Sequence, residues 1–247
     1  MTANNNNELA ILCLGSGSSG NCYLLGKGDE YIMVECGLPY KTIVSKMADY
    51  DISINQIKAL VVSHKHNDHA LALNDFMCLG MPIYAPALVQ NDNGVDKPIT
   101  LTSWLKVRAF PVEHDVPCYG FAFLTSDRES LLFMTDTKCI ESSYFKYKYT
   151  YIMIECNHIR EQLEAIMKKA LYDGNQGKVY KFTRQAKFHL SLAGVKKILN
   201  SMDLSSTKGI FLMHLSKDCC NDDLIKKEVA SKYEIKTFVC YRNGGIN

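Results

Sequence analysis

Val61-Val62-Ser63-His64-Lys65-His66-Asn67-Asp68-His69 places three histidines and one aspartate within six positions, directly after an apolar run of strand length. A loop leaving a strand end can aim alternate side chains inward, and imidazole nitrogen together with carboxylate oxygen suits a divalent metal such as zinc. Four donors so close together are poorly explained as scattered surface residues. The bland alternative is a His-rich surface loop.

Working outward, apolar runs separated by Gly-rich turns read as consecutive antiparallel strands at Leu9–Leu14, Tyr23–Leu25 and Tyr31–Glu35. Pro39–Tyr50 reads as a helix and Ala59–Ser63 as a buried strand, and Ala70–Leu79 carries Leu71, Phe76 and Leu79 at helical spacing. Further strands are expected at Ile83–Ala85, Leu105–Pro111, Tyr119–Thr125, Leu131–Thr135, Tyr151–Glu155, Gly209–Met213 and Thr237–Tyr241. Helices are expected at Ile159–Tyr172, Leu190–Ser201 and Asp218–Lys232. There is no Pro/Gly/Ser-rich linker and no solenoid repeat. Interleaved strands and helices with polar clusters at strand ends suit two packed sheets with helices outside, an α/β chain of one domain. Met1–Glu8, polar and Asn-rich, reads as a leader ahead of a domain spanning 9–247.

His-x-His-x-Asp-His after a buried strand resembles the signature of the metallo-β-lactamase superfamily. Other matches follow in order. His114 in Pro111-Val112-Glu113-His114-Asp115 resembles the next histidine ligand, and Asp136 in Met134-Thr135-Asp136-Thr137 resembles the bridging aspartate. His214 in Phe211-Leu212-Met213-His214-Leu215-Ser216 resembles the last histidine ligand. The resemblance implies an α/β (α+β) four-layer αββα sandwich with two divalent ions, zinc by expectation and manganese or iron as alternatives. It assigns His64, His66 and His114 to one ion, Asp68, His69 and His214 to the other, and Asp136 to both.

A finer likeness is carried by Leu14-Gly15-Ser16-Gly17-Ser18-Ser19-Gly20-Asn21-Cys22, Glu155-Cys156-Asn157-His158, Lys187-Phe188-His189-Leu190-Ser191 and His214-Leu215-Ser216-Lys217-Asp218. These resemble the YycJ-type relatives of RNase Z, bacterial and phage DNA nucleases. The likeness implies a DNA exonuclease in which a metal-bridging hydroxide attacks phosphorus. Asp68 would orient that nucleophile, and His189 would contact the scissile phosphate or protonate the leaving oxygen. Substrate contacts are expected from His158, Lys181, Arg184, Lys187, Ser18 and Asn21. One departure is Glu35 in Val34-Glu35-Cys36-Gly37, where the superfamily usually has aspartate, a residue that orients the metal loop.

Two stretches bear on the substrate. Tyr144–Tyr151 interleaves aromatic and basic residues, either a base-stacking surface or an amphipathic edge strand. Gly177–Lys187 holds Lys178, Lys181, Arg184 and Lys187 and no acid, read as a loop that meets phosphates. The Gly15–Gly20 run reads as a tight turn or as a backbone cradle for a phosphate, though it lacks the Lys-Ser/Thr ending of a nucleotide P-loop.

A net charge of +2 over 247 residues excludes attraction of polyanions by bulk charge, so any anionic substrate depends on local charge or metal. No ~18-residue apolar run suggests a membrane span, and no secretory signal opens the chain. Ten cysteines without a CxxC pair, mostly in apolar segments, suggest reduced thiols in a cytoplasmic protein. The expected partner is nucleic acid or a cyclic nucleotide, with a homodimer also implied by the resemblance. Competing functions are a cyclic-nucleotide phosphodiesterase of phage anti-Pycsar type, a lactone or thioester hydrolase, and a non-catalytic binding module.

Overall fold

The structure, a computed structural model, describes residues 8–88, 97–138 and 141–247. The polar leader apart from Glu8 lies outside these residues. Two compact units divide the chain: Met1–Ala109 with Phe123–Glu129 and Cys240–Asn247, and Phe110–Ala122 with Ser130–Val239.

The first unit opens with β1 (Ala10–Gly15), β2 (Cys22–Lys27) and β3 (Glu30–Val34), then α1 (Tyr40–Ala48), β4 (Ile57–Val61), α2 (Asn67–Ala70), α3 (Leu73–Cys78) and β5 (Ile83–Tyr84). These strands form one sheet in sequence order, antiparallel across β1–β2–β3 and parallel across β3–β4–β5. Its core packs Leu14, Leu24, Met33, Ile43, Leu60 and Phe76. The expected apolar stripe on Ala70–Leu79 does not form. Phe76 is buried but Leu71 and Leu79 are exposed, because a break between α2 and α3 interrupts the helical period.

Residues 240–245 return to this unit and lie along β1. The Gly245 N–H donates to the Cys13 carbonyl at 2.8 Å, and the Cys13 thiol donates to the Tyr241 carbonyl. Gly244 has φ +88, and a Cβ there would meet the Leu14 carbonyl oxygen at 2.9 Å, so glycine is required for this close approach.

A second sheet runs β12-β11-β10-β9-β8-β7-β6. It comprises β6 (Ile99–Thr100), absent from the sequence expectation, β7 (Leu105–Val112), β8 (Cys118–Thr125), β9 (Ser130–Met134), β10 (Tyr151–Glu155), β11 (Gly209–Met213) and β12 (Thr237–Val239). From β9 to β12 the strands are parallel. That accounts for the near-continuous apolar runs Leu131–Met134, Ile152–Ile154 and Ile210–Met213, since parallel strands are covered on both faces. The connecting helices are α4 (Arg160–Tyr172), α5 (Gln176–Phe188), α6 (Leu192–Asn200) and α7 (Asp222–Tyr233).

Two sequence expectations are corrected here. Gly177–Lys187 is helix α5, not a loop: the Asn175 side chain caps it by accepting from Lys178 N at 3.0 Å, and Phe182 packs on Leu163 of α4. Tyr144–Tyr151 is not an edge strand. Ser143–Lys146 is a 3-10 turn, Tyr144, Phe145 and Tyr149 are buried, and Tyr151 begins the inner strand β10. These buried rings serve packing, with Tyr144 stacked on Phe110, while Tyr147 remains exposed.

Nine cysteines among the described residues are free thiols, all but Cys78 at least partly buried. No helix among the described residues is long and apolar enough to cross a membrane.

Candidate metal centre

In the first unit the site residues follow the ends of two adjacent parallel strands. Val34 pairs with Val61, so Glu35 leaves β3 beside the segment that leaves β4 toward His64. His66 caps the one-turn helix α2, which swings Asp68 and His69 back toward His64. The His64 Nε2 and His66 Nδ1 atoms face each other at 3.0 Å, His69 Nε2 lies 3.7 Å from Asp68 Oδ2, and the His64 and His69 rings are 4.2 Å apart. Imidazole nitrogens that converge on one another beside a carboxylate form a donor set that a divalent cation satisfies.

Several groups pin this loop. Asn21 N donates to the Asp68 carbonyl at 2.8 Å, the Asn21 side-chain amide reaches the same oxygen at 3.0 Å, and Cys36 N donates to the His69 carbonyl at 2.8 Å. Asn21 is fully buried and also holds Gly17, so it braces the loop and does not reach solvent as a substrate contact would; Ser18 does remain exposed. The Gly15–Gly20 run is thus a turn whose far end positions metal-ligand candidates. Glu35 is fully buried, with one carboxylate oxygen accepting from Ser63 N at 3.2 Å and the other 3.6 Å from His69 Nδ1. Its backbone is left-handed, φ +65, and its carboxylate reaches the segment that leaves β4 through Ser63 N.

Gly37 has no room for a side chain: a Cβ would lie 1.8 Å from the Asp68 carbonyl oxygen. Gly37→Ala must therefore displace the backbone of the metal loop. The expected result is a loss of about 3 kcal/mol or more in unfolding free energy together with loss of bound metal, read by thermal melting and by elemental analysis. Wild-type metal content in the variant would refute this account.

In the second unit the site is built at the carboxyl ends of β9, β10 and β11, which lie side by side. Asp136 follows β9, Glu155 ends β10 and His214 follows β11. Asp136 and His214 have φ +44 and +53, in the left-handed region that non-glycine residues avoid. Such strain costs roughly 1–3 kcal/mol per residue and collects at functional sites. It turns each chain sharply at the strand end, so that Asp136 Oδ1 lies 3.5 Å from His214 Nε2 and Asp136 Oδ2 lies 3.7 Å from His114 Nε2. Burial lowers the pKa of His114, against the opposing pull of Asp136 and Asp115, which favours the neutral, ligating ring.

Glu155, given no role by the sequence reading, organises this half. Its Oε1 accepts from His189 Nδ1 at 2.6 Å and from His214 Nδ1 at 3.1 Å, and its Oε2 accepts from the Thr137 and Leu190 backbone N–H groups at 3.2 and 3.1 Å. Because both Nδ1 atoms donate to the carboxylate, both Nε2 atoms are turned outward. Burial alone would raise the Glu155 pKa, but charge and hydrogen bonds from His189 and His214 outweigh it and hold the carboxyl below its ordinary value. Burial likewise opposes the His189 charge, and Glu155 and Asp136 overcome it, leaving His189 above the ordinary imidazole value. The two rings stack 5.3 Å apart at 9°. Asp136, Glu155, His189 and His214 bring donor atoms within 4.8 Å of one another. An acid closing an apolar strand, Tyr151–Ile154, was the sequence signal for Glu155.

The remaining expected substrate residues divide. His158 is buried, its pKa pushed down to about 4 by burial, and its carbonyl accepts from Leu192 N. It lies at the foot of α6, and its buried Nδ1 has no hydrogen-bond partner among the described residues. Lys181 pairs with Asp218 at 2.7 Å and Arg184 with Asp115, while Lys187 lies over the Phe188 ring at 5.0 Å.

Comparison with known proteins agrees with this geometry. The metallo-β-lactamase superfamily model matches residues 15–80, which span the β1–β2 turn, Glu35 and the whole His64–His69 loop. Over that segment the chain is similar to the metallo-β-lactamase superfamily. Along most of its length it resembles exodeoxyribonuclease YycJ of Bacillus anthracis, 24% identical across 91% of this chain and 89% of that one. The metallo-β-lactamase fold protein YhfI of Bacillus subtilis superposes with a TM-score of 0.71 at 16% identity, covering 98% of this chain and 100% of that one. The short form of human tRNase Z superposes at 0.61 with 10% identity, covering 96% and 98%. The superfamily match, the His/Asp donor groups and the YycJ likeness support a metal-dependent hydrolase.

Proposed function

We propose that the chain is a phosphodiesterase that removes nucleotides from DNA, an exonuclease carrying two divalent ions. His64, His66 and His114 would hold one ion, Asp68, His69 and His214 the other, with Asp136 shared. Zinc suits the imidazole-rich set. When bound, the ions supply activated water and offset negative charge on the phosphate.

The observation that carries the reading is the single Glu155 oxygen that holds both His189 and His214. It fixes one imidazole for a metal and keeps a second, stacked beside it, outside the donor set proposed for the ions. Cleaving a phosphodiester expels an alkoxide, a poor leaving group that needs a proton as the bond breaks. His189 is held to give that proton from Nε2 while its Nδ1 proton stays on Glu155. Asp68 orients the attacking water. Arg184 and Lys187, on the turn of α5 before His189, meet flanking phosphates. The YycJ relative, an exodeoxyribonuclease by name, supports DNA as the polymer.

The test is a panel of linear single- and double-stranded DNA, RNA and cyclic mononucleotides, with metal-stripped protein as blank. Progressive loss of linear DNA supports the reading, whereas opening of cyclic mononucleotides with DNA untouched overturns it. The His189 role has its own test. His189→Ala should slow DNA cleavage by about 10²–10⁴-fold but spare a bis(p-nitrophenyl) phosphate substrate, whose leaving group needs no proton. Equal losses on both substrates would remove His189 from proton transfer.

A further inference from the structure

Between Asp173 and Asp203 the chain holds six cations, Lys178, Lys181, Arg184, Lys187, Lys196 and Lys197, and no acid. Four of them lie on α5. The C-terminal end of this helix is docked at the site: Phe188 meets the His114 ring edge-on, Arg184 pairs with Asp115 beside His114, and Lys181 pairs with Asp218. The helix then runs away from the site toward its N-terminus. At 100° per residue Tyr180, Arg184 and Lys187 fall within one narrow stripe of its surface. Tyr180, 73% exposed, is the aromatic member of that stripe, while Phe182 turns inward onto α4. A large exposed aromatic in line with cations on an acid-free helix is the arrangement that stacks a base while its backbone is neutralised.

We propose that α5 is the track for the DNA strand and that Tyr180 stacks on a base of it, upstream of the scissile phosphate. The proposal rests on the phosphodiesterase reading and adds a polymer-specific contact to it. Nine residues of helix separate Tyr180 from His189, roughly 13 Å along the axis. That corresponds to about four nucleotides at the 3.4 Å spacing of a stacked strand, fewer if the strand is stretched. Tyr180 therefore acts only on substrates long enough to reach it, and it sets KM, not the chemical step.

The experiment compares wild type, Tyr180→Ala and Tyr180→Phe on a long single-stranded oligonucleotide and on a dinucleotide, with melting curves to confirm folding. The expected result is a roughly tenfold or larger rise in KM on the long strand for Tyr180→Ala, from the usual strength of base stacking. Its kcat and its dinucleotide kinetics should be unchanged, and Tyr180→Phe should behave as wild type. A wild-type protein that leaves every DNA untouched overturns the phosphodiesterase reading and this proposal together. A wild-type protein that cleaves DNA, with Tyr180→Ala unchanged on the long strand or equally impaired on the dinucleotide, overturns the Tyr180 assignment alone.

Discussion

Asp136→Asn should bind metal poorly and turn over phosphodiester on the order of a thousandfold more slowly than wild type, several kcal/mol of lost charge stabilisation at 1.36 kcal/mol per decade. The choice of asparagine isolates the charge. Asp136 sits at φ +44, a conformation asparagine tolerates better than other residues, and the Thr135 hydroxyl that donates to Oδ1 at 2.9 Å can still find the amide oxygen. Backbone and packing thus survive while the carboxylate facing both His114 and His214 is lost. Calorimetric titration with zinc should show at least one binding step gone, and the metal-free variant should melt at or above the metal-free wild type. Full metal occupancy with wild-type turnover would remove Asp136 from the centre.

Glu155→Gln should damage activity in either orientation of the amide, because neither pairs all four N–H donors while both histidines stay protonated at Nδ1. Four N–H donors converge on the two carboxylate oxygens. With the amide nitrogen toward Oε2, the Thr137 and Leu190 backbone N–H groups are left buried without an acceptor. With it toward Oε1, His189 and His214 must move their protons to Nε2, which denies His214 its lone pair for metal. The first outcome costs roughly 3 kcal/mol of stability, and either costs about a hundredfold or more in turnover. Denaturant melts and steady-state rates on DNA read the two effects separately. A variant with unaltered kcat would show that His189 and His214 do not depend on this carboxylate.

The His64–His69 cluster was legible as four donors directly after an apolar strand, whereas His114, Asp136 and His214 stood out only through their resemblance to superfamily motifs. The strands themselves were legible as hydrophobic runs. Glu155 ends one of them, yet its clamp depends on which side chains the parallel register sets next to it, and single-residue composition does not record register. The α5 helix was obscured by its composition: cations and polar residues interrupt its apolar face, leaving Phe182 as its one buried apolar side chain. Nor could spacing reveal that Arg184 meets Asp115 and Lys181 meets Asp218, partners 69 and 37 positions distant. Asn21 was misread in the opposite direction. A polar residue after a Gly-rich run looks like a ligand contact, but its buried amide holds the backbone of Asp68.

Residues 240–245, which lie along β1, bear on how the molecule is made. A ribosome releases β1 early and the segment that pairs with Cys13 only after the whole of Ser130–Val239 has emerged. During that interval the outer side of β1 offers unpaired backbone groups, the template on which other chains can add as strands. Its closure also joins residues more than two hundred positions apart, a contact of the slow, long-range kind. The vulnerable species is thus the nascent chain, and chaperone demand during synthesis should be greatest just before residues 240–245 appear.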